Sequence, residues 1–305
     1  MQHKFKVFSG SASLDLSSKV CSNLGVSLSN LEISHFKDGE ISVFVNSDIR
    51  NCHCFIIQSF CAPVNDNIME FLVSVDALRR SHASKITAII PYMGYSRQDR
   101  RCRSGEPITA KLVSKLISVS GVDDVIVVDL HAAQIEGFFD IPVSHLSNFE
   151  NFSEDIKNIH GFDPNNFVIV APDVGAAKKT RQFASLLGCN MAIIDKHRSK
   201  ANCSEVMNII GDVASKNVVL VDDIIDTAGT ISNAADALVK MGHANDVYVY
   251  ATHAVCSGPA LERLSNQHIK QVVFSDSIPL KNMNDNMKIV SLSNILSDYI
   301  VKSLN

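Results

Sequence analysis

The chain has 305 residues, of which 46 % are apolar and 20 % charged; this is a globular composition with material for two ordinary domains. A net charge of −4 argues against a non-specific nucleic-acid binder. The N-terminal MQHKFKVFSGSASLD lacks the apolar core of a signal peptide and no apolar run has the length of a membrane span, so a cytoplasmic protein is expected.

In chain order, FKDGE (36–40) reads as a turn, where Phe36 alone is more often core than ligand platform. Cys54–Gln58 is the first apolar strand. Just before it, Cys52-His53-Cys54 carries metal-ligand types, but no second cluster completes a set of ligands, and the eight cysteines form no C-x-x-C pair. Reduced thiols are expected there. Ile68, Leu72, Val75 and Leu78 share a helix face. The strand Ile86–Ile90 leads into Arg97, Arg100, Arg101 and Arg103, which read as a solvated basic loop or as phosphate contacts. Pro107 suits the first position of a helix whose stripe is Ile108, Leu112 and Leu116.

The strand Val125–Val128 ends in Asp129-Leu130-His131, and a single histidine there reads more readily as a backbone-bonded core residue. A polar stretch, HLSNFENFSED (145–155), marks the expected seam, giving domains 1–148 and 149–305. Strands follow at Phe167–Ala171, Met191–Ile194, Val218–Val221, Val247–Ala251 and Val272–Phe274. Between them, Ile231, Ala235, Leu238 and Met241 form a helical stripe closed by Gly242. Strands apolar throughout are those covered on both faces, so the fold class expected is α/β with mainly parallel sheets flanked by helices. The halves look related. ITAIIPYMGY (86–95) pairs with FVIVAPDVGA (167–176), and DVIVVDLHAA (124–133) with NVVLVDDIID (217–226), as a degenerate duplication.

The chemistry concentrates in VVLVDDIIDTAGT (218–230). Asp222 and Asp223 leave a strand at the end where open parallel sheets bind ligands. Adjacent carboxylates accept hydrogen bonds from vicinal hydroxyls or help hold a hydrated divalent ion. Asp226-Thr227-Ala228-Gly229-Thr230 then opens a helix, whose free N–H groups favour an anion. The pairing suits a pentose 5-phosphate. An Asp-rich turn that merely caps a helix stands equally on these residues.

This loop resembles that of type I phosphoribosyltransferases and of ribose-phosphate diphosphokinases, and alone it does not separate them. FKDGE (36–40), RRSHASKITAIIPYMGYSRQDRR (79–101), PITAKLV (107–113), VVDLHAAQIEGFFDIPV (127–143), APDVG (171–175), AIIDKHR (192–198), EVMNIIGDV (205–213) and THAVCSGPA (252–260) resemble the diphosphokinase family across essentially the whole chain. The resemblance implies two similar phosphoribosyltransferase-like domains. The implied reaction is diphosphoryl transfer from MgATP to the 1-hydroxyl of ribose 5-phosphate. It implies that Asp222, Asp223, Asp226, Thr227, Ala228, Gly229 and Thr230 hold the sugar phosphate. ATP falls to Arg97 and Gln98, with Phe36, Asp38, Gly39 and Glu40 framing the adenine from a neighbouring subunit. Mg2+ falls to His131 and Asp173, and Lys196 and Arg198 lie on a catalytic loop. Self-association is implied, a dimer at least and a hexamer by family habit. The alternatives are a non-catalytic paralogue of the same fold and a phosphoribosyltransferase acting on a base.

Departures from the family pattern are informative. Asp48-Ile49-Arg50 stands where the allosteric branch has Ser-x-Arg, and the chain ends at VKSLN without a Ser-rich tail, so weak phosphate activation and weak ADP inhibition are expected. Gly105-Glu106-Pro107 and His197 also depart. Ala176 replaces a usual glycine, which puts close backbone approach there in question.

Overall fold

The computed structural model describes residues 4–197 and 206–304. The chain divides into two compact units. One comprises Met1–Ser147, Ser277–Pro279 and Ser291–Asn305, and the other Asn148–Asp276 and Leu280–Val290.

The first unit runs β1 (Phe5–Ser9), α1 (Leu14–Leu24), β2 (Leu31–His35), β3 (Ile41–Val45), β4 (His53–Ile57), α2 (Val64–Arg80), β5 (Lys85–Ile90), α3 (Thr109–Val119), β6 (Asp124–Val128) and β7 (Val143–Leu146). Its sheet has the order β1-β4-β5-β6-β7 with every pair parallel, while β2 and β3 form a separate antiparallel hairpin. Alternate residues of β4 feed opposite cores. Cys54 and Ile56 pack with Phe71, Val75 and Leu78 of α2 on one face, and Phe55 and Ile57 with Leu16 and Val20 of α1 on the other. This two-sided burial is why the strand reads as an unbroken apolar run.

The expected stripe on α3 is present but faces outward. The helix starts at Thr109, two residues after Pro107, and buries Ala110, Val113 and Ile117 instead. Ile108, Leu112, Leu116 and Val119 are 36 to 70 % exposed. Both faces carry helical spacing, and the smaller residues took the side toward the sheet.

The second unit runs α4 (Phe149–Lys157), β8 (Phe167–Ala171), α5 (Ala177–Leu187), β9 (Asn190–His197), β10 (Val206–Ile210), β11 (Asn217–Ile225), α6 (Gly229–Lys240), β12 (Val247–Ala254), α7 (Ala260–Leu264), β13 (Ile269–Ser275) and β14 (Met287–Val290). Its strand order is β10-β9-β8-β11-β12-β13-β14; only the β10 pairing is antiparallel. From β8 the chain steps one way to β9 and β10, then crosses back to β11, so the winding reverses between β8 and β11. Gly242 ends α6 for reasons of space, because a Cβ there would lie 2.7 Å from the Leu238 carbonyl oxygen and from Val213 Cγ2. The last helix, α8 (Ser293–Ser303), returns to the first unit and places Leu296 and Ile300 in the core that holds Phe55.

The sheets share a run of five parallel strands, β1-β4-β5-β6-β7 and β8-β11-β12-β13-β14. On this order β4 corresponds to β11, β5 to β12 and β6 to β13, two strands along from the pairing expected above. The shared Pro-x-x-Gly endings reflect the similar tight turns that follow such strands, not equivalent positions.

Candidate functional site

The reversal between β8 and β11 is the place where an open parallel sheet leaves a crevice beyond its strand ends. The β8–β11 ladder stops at Leu220–Val170, whereas β11 stays paired to β12 as far as Ile225–Ala254. Asp222 and Asp223 therefore sit where β11 has already lost its β8 neighbour. The Asp223 N–H donates to Asp222 Oδ1 at 2.8 Å. Burial, then the charges of Asp223 and Asp173, push the half-buried Asp222 carboxyl well above the ordinary carboxylate range. Asp173 comes from the loop after β8, where its Oδ1 accepts the Ala176 N–H at 3.0 Å and its side chain stays exposed. Ala176 has φ −77° and ψ −11°, an ordinary helical conformation, so the loss of glycine there costs nothing in the backbone.

The loop from β11 to α6 keeps its carbonyls occupied. Cys256 N–H donates to Ile225 O at 3.0 Å, Ser257 N–H to Asp226 O at 2.9 Å, and Arg263 Nη1 to Thr227 O at 2.9 Å. The N-cap of α6 is Ala228, with φ +58° and no side-chain cap bond. A non-glycine residue in that region costs about 1–2 kcal/mol, a kind of strain that gathers at ligand sites. The first helical N–H to close on the loop is that of Ser232, on Ala228 O at 3.0 Å. The N-cap residue itself has no side chain to cap the helix, and the opening turn of α6 lies beside the Thr227 and Thr230 hydroxyls.

In the first unit, two loops at the carboxyl ends of β5 and β6 carry the other residues. Arg97, Arg100, Arg101 and Arg103 are exposed. Gln98 is anchored: its N–H donates to Tyr95 O at 2.9 Å, and its Oε1 accepts the Thr109 hydroxyl at 2.6 Å. Glu106 Oε2 accepts the N–H groups of Cys102 and Arg103 at 2.8 and 2.9 Å, so Gly105-Glu106-Pro107 closes the basic loop, with Gly105 at φ +87°. Asp99 Oδ2 accepts Gln134 Nε2–H at 2.8 Å and ties this loop to the one after β6. His131 is exposed there, not the core histidine that a bland reading favours.

Phe36 is 59 % exposed at the tip of the β2–β3 hairpin and so is not core either. The tip is closed by Phe36 N–H to Glu40 O at 2.8 Å, by Glu40 N–H to Asp38 Oδ1 at 3.2 Å, and by Gly39 at φ +95°. Lys196 lies in β9 opposite Met207 of β10; Arg198 and Ser199–Asn202 lie outside the described residues. Cys52 and Cys54 are buried, His53 Nε2 is 2.7 Å from Thr87 Oγ1, and among the described residues no group of three or more His, Cys, Asp or Glu is placed to hold a metal. Sequence reasoning missed Arg263, Glu136 and His145. Glu136 lies within VVDLHAAQIEGFFDIPV (127–143) but was given no role there, His145 lies two residues past that segment, and Arg263 lies three residues past THAVCSGPA.

A family model described as the N-terminal domain of ribose phosphate pyrophosphokinase matches residues 5–121, and one described as the phosphoribosyl synthetase-associated domain matches residues 198–305. A ribose-phosphate pyrophosphokinase of Campylobacter jejuni is 50 % identical over 97 % of this chain and 94 % of the relative. One of Fusobacterium nucleatum is 46 % identical over 98 % and 95 %. The crystal structure of phosphoribosylpyrophosphate synthetase from Mycobacterium smegmatis superposes with a TM-score of 0.91 at 35 % identity, over 98 % of each chain.

Proposed function

The chain belongs to the ribose-phosphate pyrophosphokinase family, and from that premise we propose how its residues share the reaction. The enzyme makes 5-phosphoribosyl 1-diphosphate and AMP from ribose 5-phosphate and ATP. A bond forms between the sugar's 1-oxygen and the β-phosphorus of ATP. The bond from that phosphorus to the oxygen leaving with AMP breaks, and the 1-hydroxyl loses its proton. Such transfers depend on positioning and on cations around the phosphoryl oxygens.

The second unit takes the acceptor. Asp222 and Asp223 accept hydrogen bonds from the sugar's vicinal hydroxyls, and the turn Asp226–Thr230 holds the 5-phosphate on the opening N–H groups of α6. The observation that carries this reading is the reversal point itself. Its two strand-end carboxylates stand next to an N–H-rich helix start whose carbonyls are engaged elsewhere. The first unit takes the nucleotide, with Phe36, Asp38, Gly39 and Glu40 at the adenine and Arg97 and Gln98 at the phosphates. Lys196 and Arg198 supply the cations that stabilise charge on the moving diphosphoryl group.

Mg2+ fits the donors present. The mutual repulsion among Asp222, Asp223 and Asp173 is a negative field that a cation relieves. His131 and Asp173 are the residues that would contact the ion, with phosphate oxygens and water as its other donors. When bound, the ion offsets charge on the phosphoryl oxygens. Self-association is part of the proposal, supported by the exposed Phe36 and by the outward apolar stripe of α3. So is a weak response to phosphate, because Asp48 is exposed beside Arg50.

Titrating ribose 5-phosphate into the Asp222→Asn/Asp223→Asn variant tests the assignment. Affinity is expected to fall by about 10-fold or more, the scale of charged hydrogen bonds lost. Unchanged affinity would move the sugar elsewhere.

A further inference from the structure

His145 of β7 touches the chain on both sides of His131. Its Nε2 accepts the Leu130 N–H at 2.9 Å, and its Nδ1 lies 2.7 Å from Glu136 Oε1. Leu130 immediately precedes His131. Glu136 lies in the short 3-10 turn Ala133–Phe138 that follows it. The ring is only 18 % exposed.

The bond to Leu130 fixes the chemistry of the ring. A backbone N–H only donates, so Nε2 must carry the lone pair and Nδ1 the hydrogen, and that hydrogen points at the Glu136 carboxylate. Glu136 thereby selects the tautomer that can hold Leu130. The turn being held is strained. Asp129 has φ +38°, is 7 % exposed, and donates its own N–H to Leu146 O at 2.9 Å. Two successive N–H groups leaving β6 are therefore taken by β7, one by a carbonyl and one by the imidazole. A non-glycine residue with such a φ persists only where its surroundings over-determine it.

We infer that His145, with its tautomer set by Glu136, is a positioning residue that aims His131 at its ligand. This rests on the reading of His131 as a metal contact. A surface histidine that merely pairs with an acid would leave the Leu130 N–H to water. Here the ring bonds the chain on both flanks of His131, the proposed metal contact.

The test uses the full-length enzyme with Mn2+ and α,β-methylene-ATP, which does not transfer, and reads bound Mn2+ by electron paramagnetic resonance. His145→Leu should weaken Mn2+ binding by about 10–100-fold, the range for residues that orient a metal ligand. His145→Gln, which keeps an acceptor at the Nε2 position, should restore most of it. The 15N signals of the wild-type ring should show Nδ1 protonated and Nε2 bare. His131→Ala separates the two claims. If it leaves Mn2+ affinity unchanged, the metal reading fails and the inference with it. If it weakens Mn2+ while His145→Leu does not, the inference alone is overturned. Should His145→Leu fail to fold, Glu136→Leu decides, since Glu136 is exposed. Loss of the Nδ1–H tautomer with weaker Mn2+ binding supports the inference, and wild-type values for both overturn it.

Discussion

Arg263 Nη1 donates to the Thr227 carbonyl at 2.9 Å, so a residue of α7 holds the backbone of the loop proposed to carry the sugar phosphate. A Cβ on Gly229 would lie 3.2 Å from the same nitrogen, so loop and guanidinium are already in close contact. With this bond and the two from Cys256 and Ser257, three successive carbonyls of the loop are held by the segment from the end of β12 to α7.

Arg263→Ala should therefore loosen the loop without removing any ligand atom. The bond is exposed, so its loss is on the order of 1 kcal/mol, or about 5-fold in ribose 5-phosphate affinity. Calorimetric titration reads this directly, and the KM for ATP should stay put. A variant that binds the sugar normally would show that the bond is incidental.

Asp222 couples function to stability. Its carboxyl lies well above the ordinary range in the folded chain, chiefly through burial and then through Asp223 and Asp173. An acid so raised keeps its proton longer when folded than when unfolded. Its contribution is fully present below the ordinary carboxylate pKa of about 3.9 and is lost as pH rises through the folded value. Asp222→Asn should thus stabilise the protein at neutral pH, by an amount on the order of 1 kcal/mol, while weakening sugar binding. The Tm advantage should shrink as pH is lowered toward about 4. Thermal melts across that range check the sign.

The outward face of α3 is the next target. Leu112 and Leu116 are 55 and 39 % exposed, in line with Ile108 and Val119. Leu112→Glu/Leu116→Glu should lower the mass seen in sedimentation equilibrium, because a charge at an apolar contact between copies cannot be desolvated without loss. The fold should survive, since neither side chain belongs to the core. An unchanged mass would remove α3 from the contact.

Lys196→Ala should reduce turnover by about 10²–10³-fold while ribose 5-phosphate binding stays near the wild-type value, as expected of a cation that acts on the transition state. A large loss of sugar affinity at normal turnover would make Lys196 a ground-state ligand.

Much of this was legible in the residues. The strands beginning at Cys54, Ile86, Val125, Phe167 and Val218 announced themselves because both faces are buried, which leaves an unbroken apolar run. β2 and β3 did not, since their hairpin is half-exposed and mixes Glu32, Ser34 and Ser42 among its apolar residues. Periodicity gives the α3 stripe of Leu112 and Leu116, but it does not say which side faces the sheet. The carboxylates and the small-residue loop stood out because their chemistry is written in adjacent letters. Arg263 and His145 did not, because each reaches a backbone atom far away in sequence, and a bond to a backbone atom leaves no mark on the partner's identity.

The central claim is the transfer itself, and AMP formation from MgATP, followed with and without ribose 5-phosphate, tests it most directly. The account predicts AMP only when the sugar is present, in step with a new 31P signal from a diphosphate on the sugar's 1-oxygen. AMP that appears without the sugar, or no AMP with it, would contradict the account.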